Sequence, residues 1–191
     1  MKTIKNNITN EIEIKNSKFI TKIYKTEKEE IINILEKLKK EYPKATHYCY
    51  AYNNKNYKKS SDDNEPTGTA GKPILNVLEK EELENVLVVI IRYFGGIKLG
   101  AGGLIRAYTK ATTEALKKAI YQEVQDAYKV RIQFPYSEEK NINYLIQEKN
   151  ILKKEFQENI IYECIIEKDK INNLSTYNYE ILEDTITEKD S

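Results

Sequence analysis

The chain has 191 residues, 40% of them hydrophobic and 32% charged, with a net charge of +1. That length holds one ordinary domain or two small ones, and the composition excludes an acidic disordered tail. The longest apolar run, Val86 to Ile91, falls far short of the ~20 residues that cross a bilayer, and Met1 to Asn7 carries no apolar signal core.

A cytoplasmic protein with no membrane partner is therefore expected. Its two cysteines, Cys49 and Cys164, are too few for a disulfide framework or a four-cysteine zinc site. The charge is uneven. Residues 1–124 hold 22 Lys/Arg against 16 Asp/Glu, a surplus of six cations, and residues 125–191 hold 9 against 14, a deficit of five. The first part suits phosphates; ordinary solvated surfaces explain the same numbers.

Ile8 to Lys15 alternates, with Ile8, Asn10, Ile12 and Ile14 on one face, and Lys18 to Tyr24 alternates again after Asn16-Ser17. The pattern predicts two antiparallel strands. Thr26 with Glu29 three residues later reads as a capping box. The helix it opens carries Ile31, Ile34, Leu35 and Leu38 on its apolar stripe and ends near Pro43. Thr46 to Tyr52 is a strand with Tyr48, Tyr50 and Tyr52 on an aromatic face. Asn53 to Lys72 is polar and reads as a long loop, with Pro73 in the first turn of the helix that follows. Val86 to Ile91 is a strand buried on both faces. A long helix follows the next glycines, with Leu104, Ile105, Tyr108, Ala111, Ala115, Leu116 and Ala119 on one stripe.

After about Gln122 the composition shifts. Ala127–Pro135, Ile151–Phe156, Ile160–Ile166 and Tyr179–Thr187 read as strands, and Ser137–Lys149 and Asp169–Tyr177 as helices. This β-α-β-β-α-β order is that of a ferredoxin-like domain. The expected organisation is α+β, with one domain over 1–124 and a second over 125–191.

All seven glycines fall between Gly68 and Gly103. Glycines ahead of a helix leave backbone N–H groups accessible, and the helix dipole adds positive potential. Lys72, Arg92, Gly95, Gly96, Lys98, Gly100, Gly102, Gly103 and Arg106 thus outline an anion site, although the spacing matches neither the P-loop nor the dinucleotide fingerprint. Arg92 ends a buried strand, where a charge usually needs a partner. Asp62, Asp63 and Glu65 are the candidates, and internal pairing competes with a ligand role for Arg92. With His47 these acids also have the chemistry of a divalent-metal or acid–base group. A solvated acidic loop is commoner, His47 is the only histidine, and neither a metal nor any other cofactor is expected.

Two long stretches resemble the signatures of the YigZ/IMPACT family. One runs from Ser61 to Leu75 through Asp62-Asp63-Asn64-Glu65-Pro66-Thr67-Gly68-Thr69-Ala70-Gly71-Lys72-Pro73. The other runs from Val88 to Tyr108 through Arg92-Tyr93-Phe94-Gly95-Gly96 and Gly100-Ala101-Gly102-Gly103. Glu13 to Ile20 and His47 to Ala51 are similar to two further family segments. The chain is identified on these as a bacterial member. The resemblance implies an N-terminal domain similar to a ribosomal-protein and RNase PH-like fold with a left-handed β-α-β arrangement. It implies a C-terminal ferredoxin-like domain similar to the last domain of elongation factor G. Eukaryotic relatives, with a different N-terminal domain, modulate translation initiation. Asn64 departs from the family's usual glycine but tolerates positive φ. Thr109 and Lys110 replace small residues.

Three functions are open. The first is a non-enzymatic protein associated with RNA or the ribosome and regulating translation, suggested by the basic first part, the glycine–cation helix start and the tyrosine face. The second is an enzyme or binder acting on a phosphorylated small molecule or nucleotide through the glycine-rich loop. The third is a protein–protein adaptor, its partner a translation-related protein, in which the glycine segment is architectural and Arg92 pairs internally with the acidic loop.

Overall fold

The structure is a computed structural model that describes residues 1–189. Its contacts divide it into two units, Met1–Gln122 and Glu123–Ser191. The fold is α+β. No helix among the described residues is long and apolar enough to cross a membrane.

In the first unit a short β1 (Lys2–Ile4) lies beside Leu83 in a parallel bridge. β2 (Ile8–Ile14) and β3 (Ser17–Lys25) form the expected hairpin. Lys15 and Asn16 turn the chain with φ of 47° and 61°, the left-handed pair that matches the twist of two-residue hairpins. Then come α1 (Ile31–Glu41), β4 (His47–Asn54), β5 (Tyr57–Ser61), α2 (Gly71–Lys80), β6 (Val86–Tyr93) and α3 (Ala101–Leu116). The sheet order is β2-β3-β6-β4-β5, antiparallel at every pairing. β3 and β4 both oppose β6, so they run parallel to each other with α1 joining them.

β6 is apolar on both faces because it has helices on both sides. Val86, Val88 and Ile90 belong to one core with Ile74 and Leu78 of α2 and with Leu104, Ala107 and Tyr108 of α3. Leu87, Val89 and Ile91 belong to a second core with Ile31 and Leu38 of α1. Each such side chain contributes about 1.5–3 kcal/mol on burial.

Four local expectations change. The capping box does not form: Thr26 stays tied to the sheet, donating its N–H to the Asn85 carbonyl and accepting from the Tyr52 hydroxyl. The chain passes through a 3-10 turn at Lys28–Glu30, and α1 begins only at Ile31. The polar stretch after Asn53 is not all loop, since Tyr57–Ser61 pairs with β4. β5 is an edge strand, so it lacks the alternation that marks a half-buried one. Ile105 lies off the apolar stripe of α3 and is 42% exposed. The aromatic face of β4 is no open platform: Tyr52 is fully buried, and Tyr48 and Tyr50 pack against the α1 core.

The second unit contains β7 (Tyr121–Phe134) from Glu123 onward, α4 (Glu139–Leu145), β8 (Ile151–Phe156), β9 (Ile160–Glu167), a 3-10 helix at Lys168–Leu174, and β10 (Asn178–Glu188). Its sheet runs β10-β7-β9-β8, all antiparallel, which is the ferredoxin-like arrangement with the second helix wound as 3-10. Val130, Ile132, Phe134, Ile160, Tyr162 and Cys164 form its core. On the other face Glu180, Arg131, Glu163 and Lys153 stand in register across the four strands, alternating in sign. The Arg131–Glu163 pair closes to 2.7 Å.

Of the glycines after β6, Gly95 is required by packing, whereas Gly96 and Gly100 have positive φ and open space. A Cβ on Gly95 would lie 2.1 Å from the backbone carbon and oxygen of Asn16. Gly95→Ala should cost about 2 kcal/mol or more, by overpacking against backbone that cannot yield. Gly102→Ala, whose added carbon meets only the Arg106 guanidinium at 3.5 Å, should be neutral or gain up to about 1 kcal/mol as a helix substitution. Urea midpoints of the two variants decide.

Candidate functional site

Arg92 continues the row Val86, Val88, Ile90 on the α2–α3 face of β6. It faces Phe19 of β3 and His47 of β4 in register. The register therefore directs a guanidinium into the core, where its side chain is only 5% exposed. Glu65 meets it there: Oε1 accepts from Arg92 at 2.5 Å, and Glu65 is 4% exposed. The same carboxylate oxygen accepts from the Tyr108 hydroxyl of α3 at 2.8 Å. Ser17 Oγ accepts from Arg92 at 3.3 Å and from the Gly95 N–H at 3.2 Å. The Phe19 and Phe94 rings lie 5.4 and 5.6 Å from the guanidinium carbon, within cation–π range.

The rest of the acidic loop shapes Glu65's approach. Asp63 and Asn64 turn with φ of 41° and 66°, the positive values that Asn accepts in place of glycine. The Asp63 carboxylate accepts the Tyr48 N–H at the start of β4, and its carbonyl accepts from His47 Nδ1 at 2.7 Å. That bond places the proton on Nδ1 and leaves Nε2 3.8 Å from Glu65 Oε2. Asp62 accepts N–H bonds from Gly68, Ala70 and Gly71 at 2.8, 3.0 and 2.8 Å. It thereby caps the N-terminus of α2 from a distance in sequence, an anion in the place where helix ends hold anions. Burial raises the Asp62 carboxyl, but the three N–H bonds outweigh it and hold its pKa below the ordinary value. Cys49 donates to the Asp62 carbonyl at 3.0 Å and lies 3.3 Å from the Tyr108 hydroxyl. Burial pushes both the Cys49 thiol and the Tyr108 phenol well above their ordinary range.

The sequence-predicted residues thus fall into two groups. Asp62, Asp63, Glu65, Arg92 and Gly95 come together in one internal network, with Tyr108, Ser17 and Cys49 as partners. Lys72 of α2, Arg106 of α3 and Lys98 of the segment before α3 are exposed and take no part in it. Gly100 precedes α3 with φ of 72° and no side-chain cap, Gly96 turns the preceding segment, and Gly102 and Gly103 begin α3. No group of three or more His, Cys, Asp or Glu able to hold a metal occurs among the described residues. The chain pattern gave Tyr108 only as a core position; its hydroxyl role has no signal in one sequence. Lys15, Lys80 and Lys110, which line two open grooves beside α3, each read alone in the sequence as a solvated lysine.

An α+β protein of two units, with an internally wired acidic loop and a glycine-flanked helix, has close relatives. Residues 15–116 match the Impact N-terminal domain. The IMPACT family member YvyE of Bacillus subtilis is 38% identical over 185 residues, covering 94% of this chain and 85% of its own length. The family member YigZ of Escherichia coli is 35% identical over 140 residues, covering 70% of this chain and 69% of its own. A crystal structure described as that of a hypothetical protein aligns at a TM-score of 0.73 and 28% identity, over 95% of this chain and 97% of its own. The chain belongs to the IMPACT family.

Breaking a buried ion pair costs about 3–5 kcal/mol. Arg92→Met and Glu65→Gln should each fall in that range, and the double variant should recover at least about 1 kcal/mol against the sum. A double-mutant cycle by urea unfolding measures this; independent effects would show the pair to be uncoupled. Asp62 adds a pH dependence. Its lowered folded-state pKa gives stability that is present above the ordinary aspartate value and lost as pH falls through the folded value. Asp62→Asn should weaken the protein at neutral pH and flatten the acid limb of its stability curve below about pH 4.

Proposed function

We propose that this chain is a non-enzymatic, cytoplasmic protein that associates with RNA or the ribosome and takes part in regulating translation. The observation that carries this reading is the separation of charges. The acids and the arginine with catalytic potential are engaged with one another inside the first unit, whereas the α2–α3 layer presents cations outward. A buried thiol and a buried phenol, both held in their neutral forms, are poor nucleophiles and bases. Free, buried Cys49 and Cys164 suit a reducing compartment. The family resemblance supplies the translational context.

A second reading, the protein–protein adaptor, is favoured by the Glu65–Arg92 pair, since an architectural glycine segment was expected to come with such internal pairing. Small-molecule phosphate chemistry fits less well. The two grooves beside α3, of about 260 and 290 Å³, are open to solvent rather than enclosed like pockets that bury most of a small ligand.

Co-sedimentation with ribosomes and filter binding to RNA over a salt series test the proposal. Association should weaken steeply with salt, as counterion release requires. Absence of salt-sensitive binding in both assays would leave the adaptor reading in its place.

A further inference from the structure

α3 is a cationic ridge with a groove on each side. Arg106 and Lys110 stand one turn apart on its outer face, about 6 Å along the axis. With Lys15 from the β2–β3 turn they edge one groove, floored by Ile14, Leu99 and Ala107. Lys72 and Lys80 of α2 edge the other, floored by Pro73, Val77 and Ile105. Neither groove has an acid in its lining. The only acids within α2 and α3, Glu79 and Glu114, are engaged by Lys58 at 2.8 Å and Lys117 at 2.7 Å. The first turn of α3 contains no acid and its N-cap makes no side-chain bond, so the dipole of that helix adds to the same field.

The second unit offers a contrasting surface. Ferredoxin-like modules that read RNA do so with aromatic side chains on the open sheet face. Here Phe134 and Tyr162 are buried in the core and Tyr128 packs against it. The outward row Glu180, Arg131, Glu163, Lys153 alternates in sign and presents no net field to a polyanion.

We propose that the outer face of α3, with the two lysine-edged grooves beside it, is the surface that takes the phosphodiester backbone of RNA, through Lys15, Lys72, Lys80, Arg106 and Lys110. It rests on the RNA-associated reading above and names the site for it. Five cations spread over two helices and a turn suit an extended chain of phosphates better than one phosphate ion. Open grooves with apolar floors leave room for the sugar edges between them.

The test is the salt slope of binding. A short single-stranded oligoribonucleotide is titrated against the full chain by fluorescence anisotropy at several potassium concentrations. Each phosphate-contacting cation contributes about 0.7 to the slope of log K against log salt. Single Gln substitutions at Lys72, Lys80, Arg106 or Lys110 should each flatten it by about that amount, and the fourfold variant by about 3. A charge-matched control, Lys37→Gln, Lys39→Gln, Lys40→Gln and Lys44→Gln, at and just beyond the end of α1, should leave the slope unchanged. Unchanged urea midpoints establish that the variants, all at exposed positions, remain folded. Parent-like slopes in the fourfold variant, with the parent binding RNA, would overturn the site and leave the functional reading standing. Equal flattening in the control would reduce the effect to net charge and also overturn it. No binding by the parent would remove both. Binding of polyglutamate but not RNA, lost in the fourfold variant, would assign the face to an acidic protein and overturn the proposal.

Discussion

The Glu65–Arg92 pair is the constraint around which the first unit is arranged. β-sheet register sends Arg92 inward beside Ile90 and Val88, so the fold places a permanent charge where water cannot reach it. Such a charge is tolerated only with a partner of opposite sign and good geometry. Glu65 supplies it, but it lies on a loop, and a loop carboxylate reaches the core only if the loop is held. Asp62 holds one end by capping α2, and Asp63 holds the other by binding the start of β4. Tyr108 then joins the pair to α3. Arg92 of β6, Tyr108 of α3 and His47 of β4 thus meet at one carboxylate. A buried pair of this kind adds little net stability compared with an apolar substitute; its consequence is that loop, sheet and α3 must be placed together for the Arg92 charge to be met.

That requirement accounts for two of the glycines. For the loop to curl under β4, Gly71 must pass close to Ser61, whose backbone a Cβ would approach to 2.7 Å. For the chain to leave β6 beside Arg92, Gly95 must press against the β2–β3 turn. Both sit within a few residues of a member of the ion pair. At these two positions the glycine of a stretch that resembles a phosphate cradle in sequence is a packing condition, whereas Gly68, Gly96 and Gly100 have positive φ and open space around them. The anion held by the α2 N-terminus is the protein's own Asp62.

Much of this organisation was legible in the sequence, and the exceptions share a cause. The doubly buried β6, the β2–β3 hairpin and the ferredoxin-like order of the second unit follow from periodicity, because burial on one or two faces imprints directly on residue type. The capping box at Thr26 failed because tertiary bonds to Asn85 and Tyr52 displaced a local one. β5 was invisible because an exposed edge strand has no buried face to mark it. The Tyr48–Tyr50–Tyr52 face was real as a face, but alternation does not say whether a helix covers it, and α1 does. For Arg92 the sequence left internal pairing and ligand binding open. Only the position of Glu65, set by turns at Asp63 and Asn64, decides where its charge is met.

Once the inward charges are accounted for, the outward ones acquire a different meaning. Arg92 and Arg106 are fourteen positions apart in one glycine-rich segment and look equivalent in a sequence. The fold separates them by function of environment: one guanidinium is desolvated and neutralised, the other is hydrated and lies beside lysines with no acid across from it. Desolvated pairs act through geometry and are nearly insensitive to salt, whereas exposed like charges act through a field that salt screens over about 10 Å. Lys72, Lys80, Arg106 and Lys110 are gathered on one layer, where Glu79 and Glu114 are the acids of the two helices and lie near Lys72 and Lys110. Exposed cations gathered in this way raise the potential over that layer, whereas the Arg92 charge is met inside by Glu65.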